Sequence, residues 1–195
     1  MSDFIEKHLA ETAKIALSIS QFDINNVIDI LVNIKKSQGR LFILGVGGSA
    51  ANAAHAVNDF RKLANIEAYA PTDNVAELTA RTNDDGWQYV FTPWLKTSKL
   101  SSKDCIFILS VGGGDREKQI SLNICEAIDY GKSVNAKIVG IVGRAGGYTS
   151  SKADAVILVP EVNANSITPH AESFQGVIWH LMVSHPSLQE HPTTW

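Results

Sequence analysis

The chain has 195 residues, is 45% hydrophobic and carries a formal net charge of −3. That length supports one core of ordinary size, and acids and bases spread along the chain argue against a nucleic-acid binder, which shows a basic stripe. No apolar run is long enough to span a bilayer. The opening MSDFIEKHLAETAKIAL is amphipathic and contains acids, so it does not read as a secretory signal. Cys105 and Cys125 have neither metal-ligand spacing nor a disulfide framework; they read as buried thiols, and a reducing cytoplasm is expected.

In chain order, apolar residues at helical spacing predict helices over 3–19 and 23–37. LFILG (41–45) is a short apolar run ending in glycine, a buried strand. Ser49 then serves as N-cap of a helix over 50–64. IEAYA (66–70) is a second strand. Residues 73–80 and 87–98 read as helical, joined by the polar link TNDDG. CIFILS (105–110) is the third strand, followed by a helix over 116–130. KIVGIVG (137–143) and AVILV (155–159) complete the strands. A last helix over 168–184 closes at His185-Pro186. Strands that are continuous apolar runs, alternating with helices, imply a parallel sheet covered on both faces. The expected fold is a three-layer α/β sandwich, flavodoxin-like, with a five-stranded parallel sheet behind two N-terminal helices. One unit covers 1–195: helices in 1–38, the core in 39–185 and a tail in 186–195, whose Trp195 would pack on a neighbour.

Two strand ends are glycine-rich, GVGGS (45–49) and SVGGGD (110–115). Ligands of open α/β sheets bind at such ends. Glycine allows positive φ and close approach, and helix-start N–H groups hold phosphate. The plain alternative is a pair of tight turns; two such loops in one sheet favour anion binding. Gly45-x-Gly47-x-x-Ala50 is a weak dinucleotide match, without an acidic residue to hold a ribose. Asp115 cuts against a phosphate loop, because a carboxylate repels a dianion. Either it caps the helix at 116–130 or Arg116 offsets it.

His55 and Asp59 are four residues apart on one helix face, and Glu172 and His180 eight apart on another. Together they offer a four-ligand set of zinc type. The structural alternative is hydrogen-bonded histidines and solvated acids. His170, His185 and His191 read as surface residues, and His8 as lying on a polar helix face. Asn83-Asp84-Asp85-Gly86 precedes an aromatic stretch and either caps a helix or reaches sugar hydroxyls.

With GVGGSAANAAHAVNDF, TARTNDDGW, ILSVGGGD and TPHAESFQGVIWH in place, the chain resembles the sugar isomerase (SIS) domain family, specifically its phosphoheptose isomerases, over nearly its whole length. That resemblance implies conversion of sedoheptulose 7-phosphate into glycero-manno-heptose 7-phosphate in the cytoplasm. It also implies a homotetramer with sites between subunits and zinc in some members. It makes His180 and Asp59 the acid–base pair and His55, Asp59, Glu172 and His180 the metal ligands. The substrate set becomes Gly48, Ser49, Asn52, Asn83, Asp84, Ser110, Gly112, Gly113, Gly114 and Glu172.

The chain departs from the family pattern at four places. Asp59 stands for a glutamate, Glu172 for a common glutamine, Val46 for an asparagine, and SVGGGD for a hydroxyl-rich Ser-Thr-Ser-Gly-Asn-Ser loop. These mark a divergent branch. The alternatives are an isomerase of a different sugar phosphate or a non-catalytic SIS module, such as the protein that associates with the bacterial replication initiator. The retained His55, Asp59, Glu172 and His180 favour the enzyme.

Overall fold

The computed structural model describes residues 2–193, so the expected packing of Trp195 lies outside the described residues. Five parallel strands stand in the order β2-β1-β3-β4-β5: β1 (Leu41–Leu44), β2 (Ala68–Tyr69), β3 (Cys105–Ser110), β4 (Lys137–Val142) and β5 (Ala155–Leu158). The helices are α1 (Ser2–Ser18), α2 (Gln21–Lys36), α3 (Gly48–Lys62), α4 (Val75–Asp84), α5 (Thr92–Thr97), α6 (Leu122–Ser133), α7 (Tyr148–Lys152) and α8 (Ile167–Val183). The expected α/β class and the two leading helices are observed.

Alternation along the strands divides the core in two. Leu41, Ile43, Phe107, Leu109, Val139 and Ile141 pack under α2, α3 and α8. Their neighbours Phe42, Leu44, Ile106, Ile108 and Ile138 face the other way, against α5 and α6. Both faces of β1 and β3 are therefore buried, which is why these strands read as unbroken apolar runs. The chain crosses over between β2 and β3, so the switch in strand order lies between β1 and β3. Their carboxyl ends carry the two glycine-rich loops.

At the opposite edge, Asp104 ties the starts of β1 and β3 together. It accepts hydrogen bonds from the Arg40 backbone N–H and Nε, from Arg40 Nη2, and from the Ser101 N–H and hydroxyl.

Several boundaries differ from expectation. The helix expected over 116–130 begins at Leu122, because 115–120 folds back on itself through a bridge between Asp115 and Ile120. The stretch 87–98 splits into a 3₁₀ turn (Trp87–Tyr89) and α5. The short α7 has no apolar periodicity to announce it. Residues 186–191 do not hang free: Leu188 is buried, the Glu190 and His191 N–H groups both donate to the Leu63 carbonyl, and Lys35 pairs with Glu190 at 2.9 Å. Among the described residues, no single helix is long and apolar enough to cross a membrane. Both cysteines are buried free thiols, as expected.

Candidate active site

The site is built on α3 and α8, which lie side by side and run the same way. Gly47 takes φ +63° as N-cap, a conformation glycine adopts without strain, and α3 starts at Gly48. Residues 48, 52, 55 and 59 recur at helical spacing and form one stripe. Each meets a partner on α8 in ascending order. Gly48 abuts the Glu172 carboxylate. Asn52 Nδ2 donates to the Glu172 carbonyl (2.8 Å) and to Gln175 Oε1 (2.9 Å). The His55 ring meets the edge of Trp179, centroids 4.6 Å apart. Asp59 Oδ2 lies 3.5 Å from His180 Nε2.

At the far end of this stripe three groups converge. Asp59 Oδ2 is 3.8 Å from His55 Nε2, and the two imidazole rings are 5.3 Å apart. Asp59 is 9% exposed, while the side chains of His55 and His180 are more than half exposed. A buried carboxylate therefore sits beneath two accessible imidazoles. His180 Nδ1–H donates to the Gly176 carbonyl at 2.8 Å. A carbonyl only accepts, so Nδ1 carries a proton and Nε2 is the nitrogen turned toward Asp59. Asn58 Nδ2 donates to Asp59 Oδ1 at 2.8 Å, which orients the carboxylate. A cavity of about 250 Å³ opens here, lined also by Lys62 and Ser184.

The ligand atoms of His55, Asp59 and His180 all lie within 4.8 Å of one another. Two imidazole nitrogens and a carboxylate suit zinc, and three protein ligands leave a position for water or substrate. Glu172 is not among them. It lies eight residues before His180, about 12 Å along the helix, with its carboxylate at the first turn of α3.

Ser49 is not the N-cap. α3 begins one residue before it, and its buried hydroxyl accepts from Gln175 Nε2 at 3.0 Å. Gln175 thus links both Ser49 and Asn52 to α8. Gln175 is three residues from Glu172 on α8, while its two partners lie more than 120 residues away in sequence.

The loop after β3 is tied down internally. The Gly113 N–H donates to Ser110 Oγ at 3.0 Å, and the Gly113 carbonyl accepts from the Thr149 N–H and hydroxyl. Gly113 and Gly114 hold φ +73° and +82°, and a Cβ on Gly114 would stand 2.8 Å from Cys125 Sγ. Gly112 has open space around it. Asp115 neither caps α6 nor pairs with Arg116. It accepts from the Lys118 N–H and pairs with the Lys118 ammonium, and these hydrogen bonds hold its carboxyl below the usual range. Arg116 is committed to Glu126 and Asp129. Asn83 and Asp84 end α4 instead of lying in a loop; both are exposed and bonded to each other at 2.8 Å.

His170 also lies elsewhere than expected. It is 3% exposed, not a surface residue, with Nε2 3.0 Å from Glu11 Oε2, and the half-buried His8 stacks on it.

Comparison with known proteins places this architecture. The SIS domain family model matches residues 6–143. A phosphoheptose isomerase from Nitratiruptor sp. is 30% identical over 192 residues, covering 94% of this chain and 97% of that one. One from Helicobacter hepaticus is 28% identical over 164 residues, covering 82% and 78%. Among solved structures, a phosphoheptose isomerase from Neisseria gonorrhoeae superposes with a TM-score of 0.80 at 22% identity, covering 93% of this chain and 96% of that one. The chain belongs to the SIS domain family and, within it, to the isomerases.

Proposed function

We propose that the chain interconverts an aldose and a ketose phosphate, namely sedoheptulose 7-phosphate and D-glycero-D-manno-heptose 7-phosphate, through an enediol. The observation that carries this reading is the pairing of His180 Nε2 with Asp59 Oδ2 at 3.5 Å, with the His180 tautomer fixed by Gly176. Moving a proton between C1 and C2 needs a base, an acid and a stabiliser for the developing oxyanion. His180 presents Nε2, the nitrogen not committed to Gly176, to take up and release the proton. Asp59, beneath it, holds the imidazolium that forms and exchanges protons with the second oxygen. His55 closes the same cavity. A divalent ion held by His55, Asp59 and His180, zinc by ligand type and one per subunit, would use the same His180 Nε2; with the ion bound, His180 would serve as ligand rather than base and the ion would polarise the substrate carbonyl. Gly48, Ser49, Asn52 and Ser110, with the Gly112–Gly114 backbone, make up the end that meets the anion; Asn83, Asp84 and Glu172 complete the substrate set. The names of the relatives support an enzyme acting on a phosphorylated sugar; a cytoplasmic homotetramer with sites between subunits is what the resemblance to the family implies.

One observation favours a non-catalytic binding module or a different sugar phosphate. The loop after β3 spends its Gly113 N–H on Ser110, and the next helix begins only at Leu122. An isomerase assay with sedoheptulose 7-phosphate, run with added zinc and again with a chelator, decides the matter. Turnover supports the isomerase. A folded protein that turns over nothing in either condition removes it. Zinc-dependent turnover supports the ion, and equal rates with chelator remove it.

A further inference from the structure

We propose that His8, Glu11 and His170 form a second divalent-cation site, of the zinc class, that clamps α1 onto α8. Their ligand atoms lie within 4.8 Å of one another, as do those of the His55 cluster. His8 and Glu11 are three apart on α1 and so share a face. His170 comes from the first turn of α8, almost fully buried, with Nε2 3.0 Å from Glu11 Oε2. The His8 ring lies over the His170 ring, centroids 4.6 Å apart and planes 18° apart, and makes no hydrogen bond among the described residues. The other Glu11 oxygen is already oriented, Oε1 accepting from Asn163 Nδ2 at 2.8 Å, and an ion would take the place of the proton now shared between Oε2 and His170 Nε2. Outer hydrogen bonds of this kind fix the carboxylates of metal sites. A cavity of about 60 Å³ beside the cluster, lined also by Phe4, Lys7 and Ser166, has room for an ion and a water.

Charge points the same way. Two imidazoles stacked this closely repel each other when both are protonated. As neutral ligands with one carboxylate, they carry a single negative charge, which a dication more than balances. Lys7 is the one opposing cation in the lining, and it is exposed on a flexible stem. The location explains what such an ion would do. Phe4, Ile5, Leu9 and Leu17 of α1 are exposed, and Ile15 is the fully buried apolar residue of that helix. Glu11 bonds α1 to Asn163 and His170, and an ion would join residues 8 and 11 to residue 170 across most of the chain.

The test uses the full chain carrying His55→Ala and His180→Ala, so that the other cluster is silenced, with zinc alone as probe. Melting temperature is read with chelator and with zinc at a hundredfold excess over its dissociation constant. A rise of roughly 5–10 °C is expected. Adding His8→Ala, a half-buried residue, should leave the melting temperature in chelator nearly unchanged and abolish the rise; Glu11→Gln should also abolish the rise, from a lower melting temperature in chelator because it loses the His170 pair. No rise in the parent, or a rise that survives both substitutions, overturns the proposal. The readout is stability, so it stands or falls separately from the isomerase reading.

Discussion

The carboxylate of Glu172 lies against Gly48, so close that a Cβ built on that glycine would stand 2.5 Å from Oε2. A negative charge therefore occupies the N-terminal end of α3, where the helix dipole is positive and where a substrate phosphate would otherwise gain most. Replacing Glu172 with Gln keeps the shape and removes the charge. Affinity for the sugar phosphate, read as KM and as inhibition by inorganic phosphate, is expected to rise about two- to fivefold, the worth of one dipole-scale interaction. A weaker binding of phosphate in the variant would show that the carboxylate is not competing for this position.

His180→Asn removes the ring nitrogen that faces Asp59 while leaving an exposed polar side chain. kcat is expected to fall by about 10²–10⁴-fold, with the melting temperature nearly unchanged. Activity close to that of the parent would take His180 out of the proton transfer.

Asp59 stands 3.5 Å from His180 Nε2, just outside hydrogen-bond reach. Asp59→Glu adds one methylene, about 1.5 Å of reach, and is expected to raise kcat. Asp59→Asn keeps the length but cannot accept a proton, and is expected to lower kcat by about a hundredfold or more. If both variants lose activity equally, length does not limit the step.

Asp104 gives the pH dependence of stability. Burial raises its pKa, but hydrogen bonds from Arg40 and Ser101 outweigh that and leave the carboxyl below its usual value. A depressed folded pKa means that the contribution is complete above the unfolded value, near 3.9, and disappears as pH falls through the folded one. Asp104→Asn should therefore cost about 2–3 kcal/mol at pH 7, discounted because the Arg40 side chain is a quarter exposed. The difference from the parent should shrink below about pH 4. Denaturant unfolding at the two pH values checks this; a constant difference would assign the effect to packing.

The layered fold was legible because β1, β3 and β4 are buried on both faces, and burial writes itself as uninterrupted Val, Ile, Leu and Phe. The acid–base end was legible too, since His55 and Asp59 meet through helical spacing alone. What failed depended on partners distant in sequence. Ser49 reads as a cap until Gln175, 126 residues on, takes its hydroxyl. His170 reads as a surface residue until α1 brings Glu11 over it from 159 residues away. Glu172 has the right phase to join His180, but phase does not reveal that two turns of axial distance separate them. The late start of α6 had a different cause: the Asp115–Ile120 bridge depends on backbone turns at Gln119 and Ser121, both with positive φ, which side-chain periodicity does not encode.

Because α3 and α8 advance in the same direction, their contacts work like the teeth of a zip. Gly48 with Glu172, Asn52 with Gln175, His55 with Trp179 and Asp59 with His180 are all in step at once. Sliding either helix by one turn, about 5.4 Å, would mismatch every pair together, so the chemistry at one end inherits its alignment from the packing at the other. A substitution that changes bulk at Gly48 thus reaches His180 without touching it.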